Sequence, residues 1–157
     1  TAIDPYIDMI GGEFLSHGAQ QKSKITCADE KFSGCSECKD GFELHEEWYS
    51  LKNIARDLHV LLVQQTTGMN GWMYQRSAYP ETWAKAFGKG RVYYTSMGHR
   101  EDVWTNPLFQ AILIGGIKFA CGDAPGDVTP NVEKVCPDAW TVPAQPPAPK
   151  KAEEKKQ

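Results

Sequence analysis

The chain has 157 residues, of which 41% are hydrophobic and 11% aromatic, and its net charge is −3 at pH 7. This length suits a single domain with one hydrophobic core. The acidic balance argues against nucleic acid as a partner, because a negative surface repels phosphate, and no apolar run approaches the ~20 residues that a membrane span needs.

The first half of the chain is predicted to contain one helix end and two strands. Residues 4–10 are typical of the end of a helix that a glycine pair closes, since glycine tolerates the positive φ of a sharp turn. Residues 24–28 predict a short strand, and residues 29–41 a polar, cysteine-bearing surface loop. The continuous apolar run 60–64 indicates a parallel strand covered on both faces.

The second half is predicted to alternate between helix and strand. Residues 66–79 show no helical period and predict a long loop that overhangs the pocket. Residues 81–87 predict a short helix, and residues 91–95 a buried strand. Asn106 can cap a helix and a glycine can end it sixteen residues later, so we expect a helix over residues 107–121.

The composition shifts from residue 122 onward, first to a turn-rich segment and then to a proline-rich one. Residues 1–136 are predicted to form one α/β domain, and residues 137–157 a proline-rich and then charged tail. The tail carries too little apolar surface to offset its ordering entropy, so we expect it to be disordered or extended as polyproline II.

The chain contains five cysteines, an odd count that needs an explanation. Cys35 and Cys38 have the spacing of a metal knuckle or a redox pair, but no second pair with that spacing accompanies them. We therefore favour disulfides, with Cys27 bridged to Cys35 or Cys38, and Cys121 to Cys136. Because such bridges require an oxidising compartment, they predict a periplasmic or secreted protein, with the cytoplasm as the alternative.

Four segments of the sequence occur in an order that resembles one known family. They are IGGEFLSHG at 10–18, EEWYSLKN at 46–53, HVLLVQQTTGM at 59–69 followed by YPETWAKAFGKGRV at 79–92, and YTSMGHREDVWTNPLFQAILIGGIKFACG at 94–122. Together they are similar to the trehalose-utilisation (ThuA-like) family over roughly residues 4–135. Four ordered segments make the resemblance specific.

The resemblance implies a three-layer α/β fold like those of flavodoxin and the class I glutamine amidotransferases. Such a fold has a mostly parallel sheet with helices on both faces. Family members usually begin with a βαβ half that precedes the Gly-Gly segment. This chain starts without that half, so we expect a fold that is incomplete at its N-terminus.

His99 is the leading catalytic candidate. It follows a predicted strand, and open α/β sheets bind ligands beyond the carboxyl ends of their strands. An imidazole can accept or donate a proton near neutral pH, and Glu101 or Asp102 is near enough to orient the ring. The alternative is a structural turn in which Asp102 arranges the helix that follows.

His17 and Glu47 can complete a metal site with His99. Two imidazoles and one carboxylate suit a divalent metal such as Zn²⁺, and the resemblance also implies a histidine at position 17. The alternative is a surface histidine without a partner. Glu47 is also a catalytic candidate, because neighbours on an extended chain face opposite sides and we expect it, rather than Glu46, to point inward.

Several other residues are predicted to bind the substrate. Trp48 and Tyr49 stand beside two acids, a combination that can hold a sugar by ring stacking and hydroxyl hydrogen bonds. The alternative is an acidic loop whose aromatic side chains are buried as anchors. The remaining candidates, near His99 or at the end of a strand, are Arg100, Glu101, Trp104 and Gln64.

These observations favour a carbohydrate-active hydrolase or lyase. Its substrate would be a small sugar or oxidised sugar, and its mechanism general acid/base chemistry with or without a metal. The alternative is a non-catalytic accessory subunit, either of a larger assembly or of a homo-oligomer. The absent βαβ half and the added cysteines favour that alternative.

Overall fold

The structure, a computed structural model, describes residues 4–147. Its described strands form one five-stranded sheet and one two-stranded sheet, and every pairing is antiparallel. The helices are α1 (Pro5–Ile10), α2 (Pro107–Cys121) and α3 (Val132–Val135). The strands are β1 (Glu13–His17), β2 (Gln21–Cys27), β3 (Phe42–Glu46), β4 (Tyr49–Lys52), β5 (His59–Gln64), β6 (Tyr79–Phe87) and β7 (Gly90–Thr95). The larger sheet has the order β3-β2-β5-β6-β7, and β1 pairs with β4.

The predicted mostly parallel, three-layer α/β fold is wrong. Residues 81–87, predicted as a helix, belong to strand β6, which turns directly into β7 with Phe87 paired to Gly90. Gly88 has a φ of 56°, which glycine adopts readily in so tight a turn. A hairpin reverses the chain, whereas parallel neighbours need a crossover of a dozen or more residues. Buried polar residues in β6 hid its strand character from the sequence pattern.

Strand β5 occupies the apolar run that the sequence predicted, and all six of its residues are buried. Leu61 and Leu62 belong to one core cluster, and Val60 and Val63 to the other. The strand is therefore covered on both faces, as expected. Its neighbours β2 and β6 nevertheless run antiparallel to it, because burial on both faces does not determine strand direction.

Helix α2 confirms the prediction for residues 107–121. The Asn106 side chain accepts hydrogen bonds from the backbone N–H groups of Leu108 and Phe109 at the first turn. Gly122 ends the helix with a φ of 87°, and its N–H bonds back to the last turn. The helix packs its apolar face against β7 and the first core cluster.

A C-terminal segment covers the second core cluster. Ala139 is buried, and the Trp140 indole N–H donates to the Ile54 carbonyl at 2.7 Å. The Arg56 guanidinium lies 4.1 Å from the centroid of the Trp140 ring. The first residues after position 136 are thus packed on the body, and the predicted disorder of residues 148–157 lies outside the described residues.

Buried His59, the first residue of β5, connects this strand to Thr129 and Asp29. Its Nδ1 lies 2.7 Å from the Thr129 carbonyl oxygen, and its Nε2 lies 3.0 Å from a carboxylate oxygen of Asp29. The ring is thus fixed by a contact at each of its two nitrogens. His59 therefore has a structural role away from the other histidines.

Over residues 4–147, no helix combines the length and apolar character needed to cross a bilayer.

The predicted disulfides are absent, since all five cysteines are free thiols. Cys121 is exposed at the end of α2, whereas Cys136 is buried in the second core cluster, so these two cannot pair as placed. Burial raises the pKa of Cys38 and of Cys136 to about 12, and also raises that of Cys35. These three thiols act as small apolar groups of the core.

Thiol labelling should reflect this arrangement. In native protein without reductant, we expect Ellman's reagent to modify Cys121 rapidly, Cys27 more slowly, and the three buried cysteines only after unfolding. The reason is that the reagent needs an accessible thiolate. In denaturant all five thiols should react. Fewer than five under those conditions would reveal a disulfide and restore the oxidising-compartment hypothesis.

Candidate functional site

The candidate site lies where three chain segments meet. His17 is the last residue of β1, Glu47 directly follows β3, and His99 lies in the loop after β7. The pairing of β1 with β4 sets His17 opposite Tyr49, two residues beyond Glu47. The structure therefore brings together the three residues that the sequence predicted as a cluster.

A bulge in β1 determines which side chains face this cluster. The register with β4 shifts between Phe14 and Ser16, which leaves one extra residue in β1. In a regular strand Phe14 and His17, three residues apart, would face opposite sides. Because of the bulge they share a face, with ring centroids 6.1 Å apart. Phe14 thereby joins the site, a placement that period-two alternation in the sequence argues against.

Glu47 joins the two imidazoles. Its Oε1 atom lies 3.3 Å from Nδ1 of His17 and 3.3 Å from Nε2 of His99. The Glu47 side chain is 15% exposed, against 47% for His17 and 41% for His99. The carboxylate is thus shielded while both rings reach solvent, so a ligand can approach the rings.

The contacts indicate which ring nitrogens carry protons. Nδ1 of His17 also lies 3.1 Å from the Gly18 carbonyl oxygen, so two acceptors face that nitrogen. A neutral His17 ring therefore has its N–H at Nδ1 and its lone pair at Nε2. By the same reasoning, His99 has its N–H at Nε2, which faces Glu47, and its lone pair at Nδ1. Each ring keeps one nitrogen that can accept a proton.

Glu46 points away from the cluster into the interior and is completely buried. Its carboxylate accepts four backbone N–H groups: those of Gly98 and His99 at one oxygen, and those of Arg100 and Glu47 at the other, at 2.7–3.0 Å. Adjacent residues of an extended chain face opposite sides, and here one carboxylate is buried while its neighbour lines a cleft. The sequence did not single out Glu46 for a role.

A second buried carboxyl group holds the beginning of the His99 loop. Glu81 accepts hydrogen bonds from the Ser96 backbone N–H at 3.0 Å and the Ser96 hydroxyl at 2.8 Å. The hydroxyls of Thr82 and Thr95 also donate to it. Burial raises the pKa of Glu81, although these hydrogen bonds oppose that effect.

An aromatic cleft opens beside His17 and Glu47. Its volume is about 470 Å³, and it is lined by Tyr6, Ile7, Ile10, Gly12, Phe14, His17, Glu47, Tyr49 and Tyr94. The Tyr49 ring meets the His99 ring edge-on with centroids 6.2 Å apart, and lies 6.3 Å from the His17 ring. Burial, with smaller effects from the charges of Glu47 and Glu46, raises the pKa of Tyr49, so its hydroxyl stays protonated.

A polar cleft of about 460 Å³ opens beside His99. It is lined by Gln20, His99, Arg100, Glu101 and Asp102. Arg100 forms a two-pronged ion pair with Asp102 at 2.9 and 3.0 Å, and also donates to Gln20 at 2.5 Å. The hydrogen bond to Asp102 raises the pKa of Arg100, and the same bond lowers the pKa of Asp102. Arg100 and Glu101, both predicted to bind substrate, thus line this cleft.

Three predicted ligand-binding residues lie elsewhere. Trp48 has no exposed surface, and its indole N–H donates to the Gln21 carbonyl at 2.9 Å, so no face is left for a sugar. Gln64 is also completely buried and accepts from the Tyr79 hydroxyl. Trp104 is 54% exposed but lines neither cleft. Its indole N–H donates to the Gly98 carbonyl and so braces the His99 loop.

The three clustered residues are donors of the kind that Zn²⁺ prefers. Among residues 4–147, however, no group of three or more His, Cys, Asp or Glu side chains is arranged to hold a metal ion. Here the two imidazoles direct their nitrogens at the same carboxylate oxygen. That arrangement suits hydrogen bonds from both rings to the carboxylate.

Comparison with known proteins identifies the family. Residues 1–120 match the family model described as trehalose utilisation, ThuA. This is well over half of the chain, which therefore belongs to the trehalose-utilisation family. The resemblance drawn from the four sequence segments is confirmed. No curated protein matches the chain.

A solved structure supports the same relationship at the level of fold. A ThuA-like protein from Bacteroides uniformis ATCC 8492 superposes with a TM-score of 0.58 at 17% sequence identity. The match covers 73% of this chain and 50% of that protein, so this chain spans about half the length of the solved relative. At this level of identity the likeness concerns the fold.

Proposed function

We propose that this protein binds a small carbohydrate and acts on it by general acid/base chemistry at His99, Glu47 and His17. The observation that carries the proposal is the single Glu47 oxygen placed 3.3 Å from a nitrogen of each imidazole. A carboxylate in this position orients both rings and stabilises whichever of them is protonated. The reaction class is hydrolysis or elimination.

The cluster is suited to moving a proton through a reaction. A neutral His99 accepts a proton from a sugar hydroxyl or a water molecule at Nδ1, and the imidazolium that forms is balanced by Glu47. The His99 imidazolium then returns this proton to the departing oxygen, which restores the neutral ring. The proton count is unchanged over the cycle, so no external acid or base is consumed.

The clefts favour a sugar as the ligand. Tyr49, Phe14 and Tyr94 offer aromatic surface of the kind that packs against the C–H face of a pyranose. Glu47 and the tyrosine hydroxyls are suited to hydrogen bonding with sugar hydroxyls. The family description, trehalose utilisation, supports the same class of ligand.

Substitution of His99 tests the proposal. We would add trehalose, glucose and glucono-δ-lactone separately to the purified protein and follow binding by calorimetry and conversion by NMR. Wild-type protein should bind or convert at least one of them, and His99→Ala should lower conversion by about 10²–10⁴-fold without loss of the fold. His45→Ala is the matched control, because His45 is exposed on β3 outside the cluster.

Two results would contradict the proposal. One is full activity of His99→Ala, and the other is equal losses in His99→Ala and His45→Ala. Zinc assistance is a separate proposal, supported by the donor types alone, and is tested by titrating the apoprotein with Zn²⁺. One equivalent bound by wild type and lost in both His17→Ala and His99→Ala would support it.

An accessory role in an assembly is the second candidate. The observation that favours it is the exposed apolar pair Ile114 and Ile117 on the outer face of α2, each more than half exposed. Light scattering of the purified chain would detect self-association. A concentration-dependent dimer abolished by Ile117→Glu, together with no binding of the three sugars, would favour this role over catalysis.

A further inference from the structure

We infer that Glu46 is the positioning residue of the site: its buried carboxylate holds the backbone of the His99 loop so that the His99 ring meets Glu47 and Tyr49. The inference rests on the proposed function only for the role of His99, and the contacts that carry it are independent of any substrate. Glu46 touches neither cleft, so it acts through another residue.

All four hydrogen bonds that the Glu46 carboxylate accepts come from backbone N–H groups. Each of its two oxygens receives two of them, three from consecutive residues of the loop, 98–100. Hydrogen bonds from N–H to an ionised carboxylate are among the stronger ones in proteins, and here the accepting carboxylate is completely buried. The loop that carries His99 is therefore held by one side chain from another strand.

The charge of Glu46 is required by this geometry. A backbone N–H can only donate, so a protonated carboxyl group or an amide at position 46 would direct a hydrogen at one or two of these donors. Glu81 differs, because three of the four hydrogen bonds that it accepts come from hydroxyl groups. A hydroxyl group can also accept a hydrogen bond, whereas a backbone N–H cannot. Position 81 therefore tolerates a neutral side chain, whereas position 46 does not.

The two buried glutamates thus form a matched pair for an experiment. In Glu46→Gln, either orientation of the amide places its NH₂ group against two N–H donors, so the loop must move and carry His99 with it. In Glu81→Gln, the carbonyl oxygen can accept from Ser96 while the NH₂ group donates to the Thr82 hydroxyl. Both variants lose one buried acid, but only the first loses the geometry of the loop.

The experiment measures whether the Tyr49 ring remains in contact with the rings of His99 and His17. Nuclear Overhauser effects should connect the Tyr49 ring to both imidazoles in wild-type protein. We expect Glu46→Gln to lose the effect between Tyr49 and His99 while keeping that between Tyr49 and His17. A merely structural role would lower the unfolding temperature and leave both effects in place. Glu81→Gln should keep both.

The inference is overturned if folded Glu46→Gln retains the Tyr49–His99 contact, or if both glutamine variants lose it equally. If Glu46→Gln does not fold, amide exchange in wild-type protein decides. The N–H groups of residues 98–100 should then exchange at least about tenfold more slowly than in an unstructured peptide, and exchange at the peptide rate would overturn the inference. A failed sugar assay alone contradicts the proposed function and leaves these outcomes unaffected.

Discussion

Glu47→Gln is expected to lower conversion of the sugar that wild-type protein uses by about 10²–10⁴-fold, the range typical of losing general acid/base assistance. The amide cannot balance an imidazolium, although its carbonyl oxygen can take the position of the Oε1 atom that faces both rings. Both imidazoles can therefore keep their orientation, and the loss of activity reflects the missing negative charge. The measurement is the kcat of the folded variant, with circular dichroism to verify its fold.

Glu43→Gln is the matched control for this prediction. Glu43 lies on β3, four residues before Glu47, and is exposed. Its substitution should leave kcat within about twofold of wild type, because surface changes away from specific contacts have small effects. If Glu47→Gln retains the activity of Glu43→Gln, the carboxylate is not part of the chemistry.

Gly115→Ala is expected to destabilise the protein by roughly 2–3 kcal/mol and to lower its unfolding temperature by roughly 5–10 °C. A Cβ at this position would lie 2.0 Å from the Ser33 carbonyl oxygen and 2.7 Å from the Gly34 nitrogen. Both are backbone atoms, so no side-chain rotation relieves the contact and α2 must move away from the loop. Thermal unfolding followed by circular dichroism measures the effect.

The destabilisation expected for Gly115→Ala is opposite to the usual effect of this substitution in a helix. In an exposed helix, replacing glycine by alanine stabilises by about 1 kcal/mol, because alanine has the higher helix propensity. Ile114→Ala, at the neighbouring exposed position, should change stability by less than about 0.5 kcal/mol. An unchanged or raised unfolding temperature in Gly115→Ala would show that α2 does not pack against residues 33 and 34 as described.

Local signals in the sequence were sufficient for the helix and for the cluster. Asn106 and Gly122 delimit α2 by their own hydrogen-bonding and backbone preferences, which do not depend on the rest of the fold. The convergence of His17, Glu47 and His99 was also predicted, because each lies at a strand end or in a loop within a recognisable segment. Alternation along an extended chain places Glu46 and Glu47 on opposite sides, but the side that faces the interior is that of Glu46, whereas the sequence analysis expected Glu47 to point inward.

Features that depend on how strands pair and pack could not be predicted from local sequence signals. The direction of β5 follows from its neighbours, and the identity of β6 depends on its hairpin with β7. Phe14 reaches the site through a bulge, which shifts the alternation by one residue. Trp48 was predicted to stack on a sugar, but core packing and a hydrogen bond to Gln21 bury it instead.

Long-range ¹H–¹⁵N correlations of the histidines test directly whether Glu47 joins the two imidazoles. Recorded at a pH where the rings are neutral, they show which nitrogen of each ring carries the proton. A carboxylate shared by both imidazoles predicts the N–H of His17 at Nδ1 and that of His99 at Nε2, with His45 as the solvent-exposed reference. If His17 instead carries its proton at Nε2, as a ring without these two acceptors is free to do, Glu47 does not join the histidines and the account is contradicted.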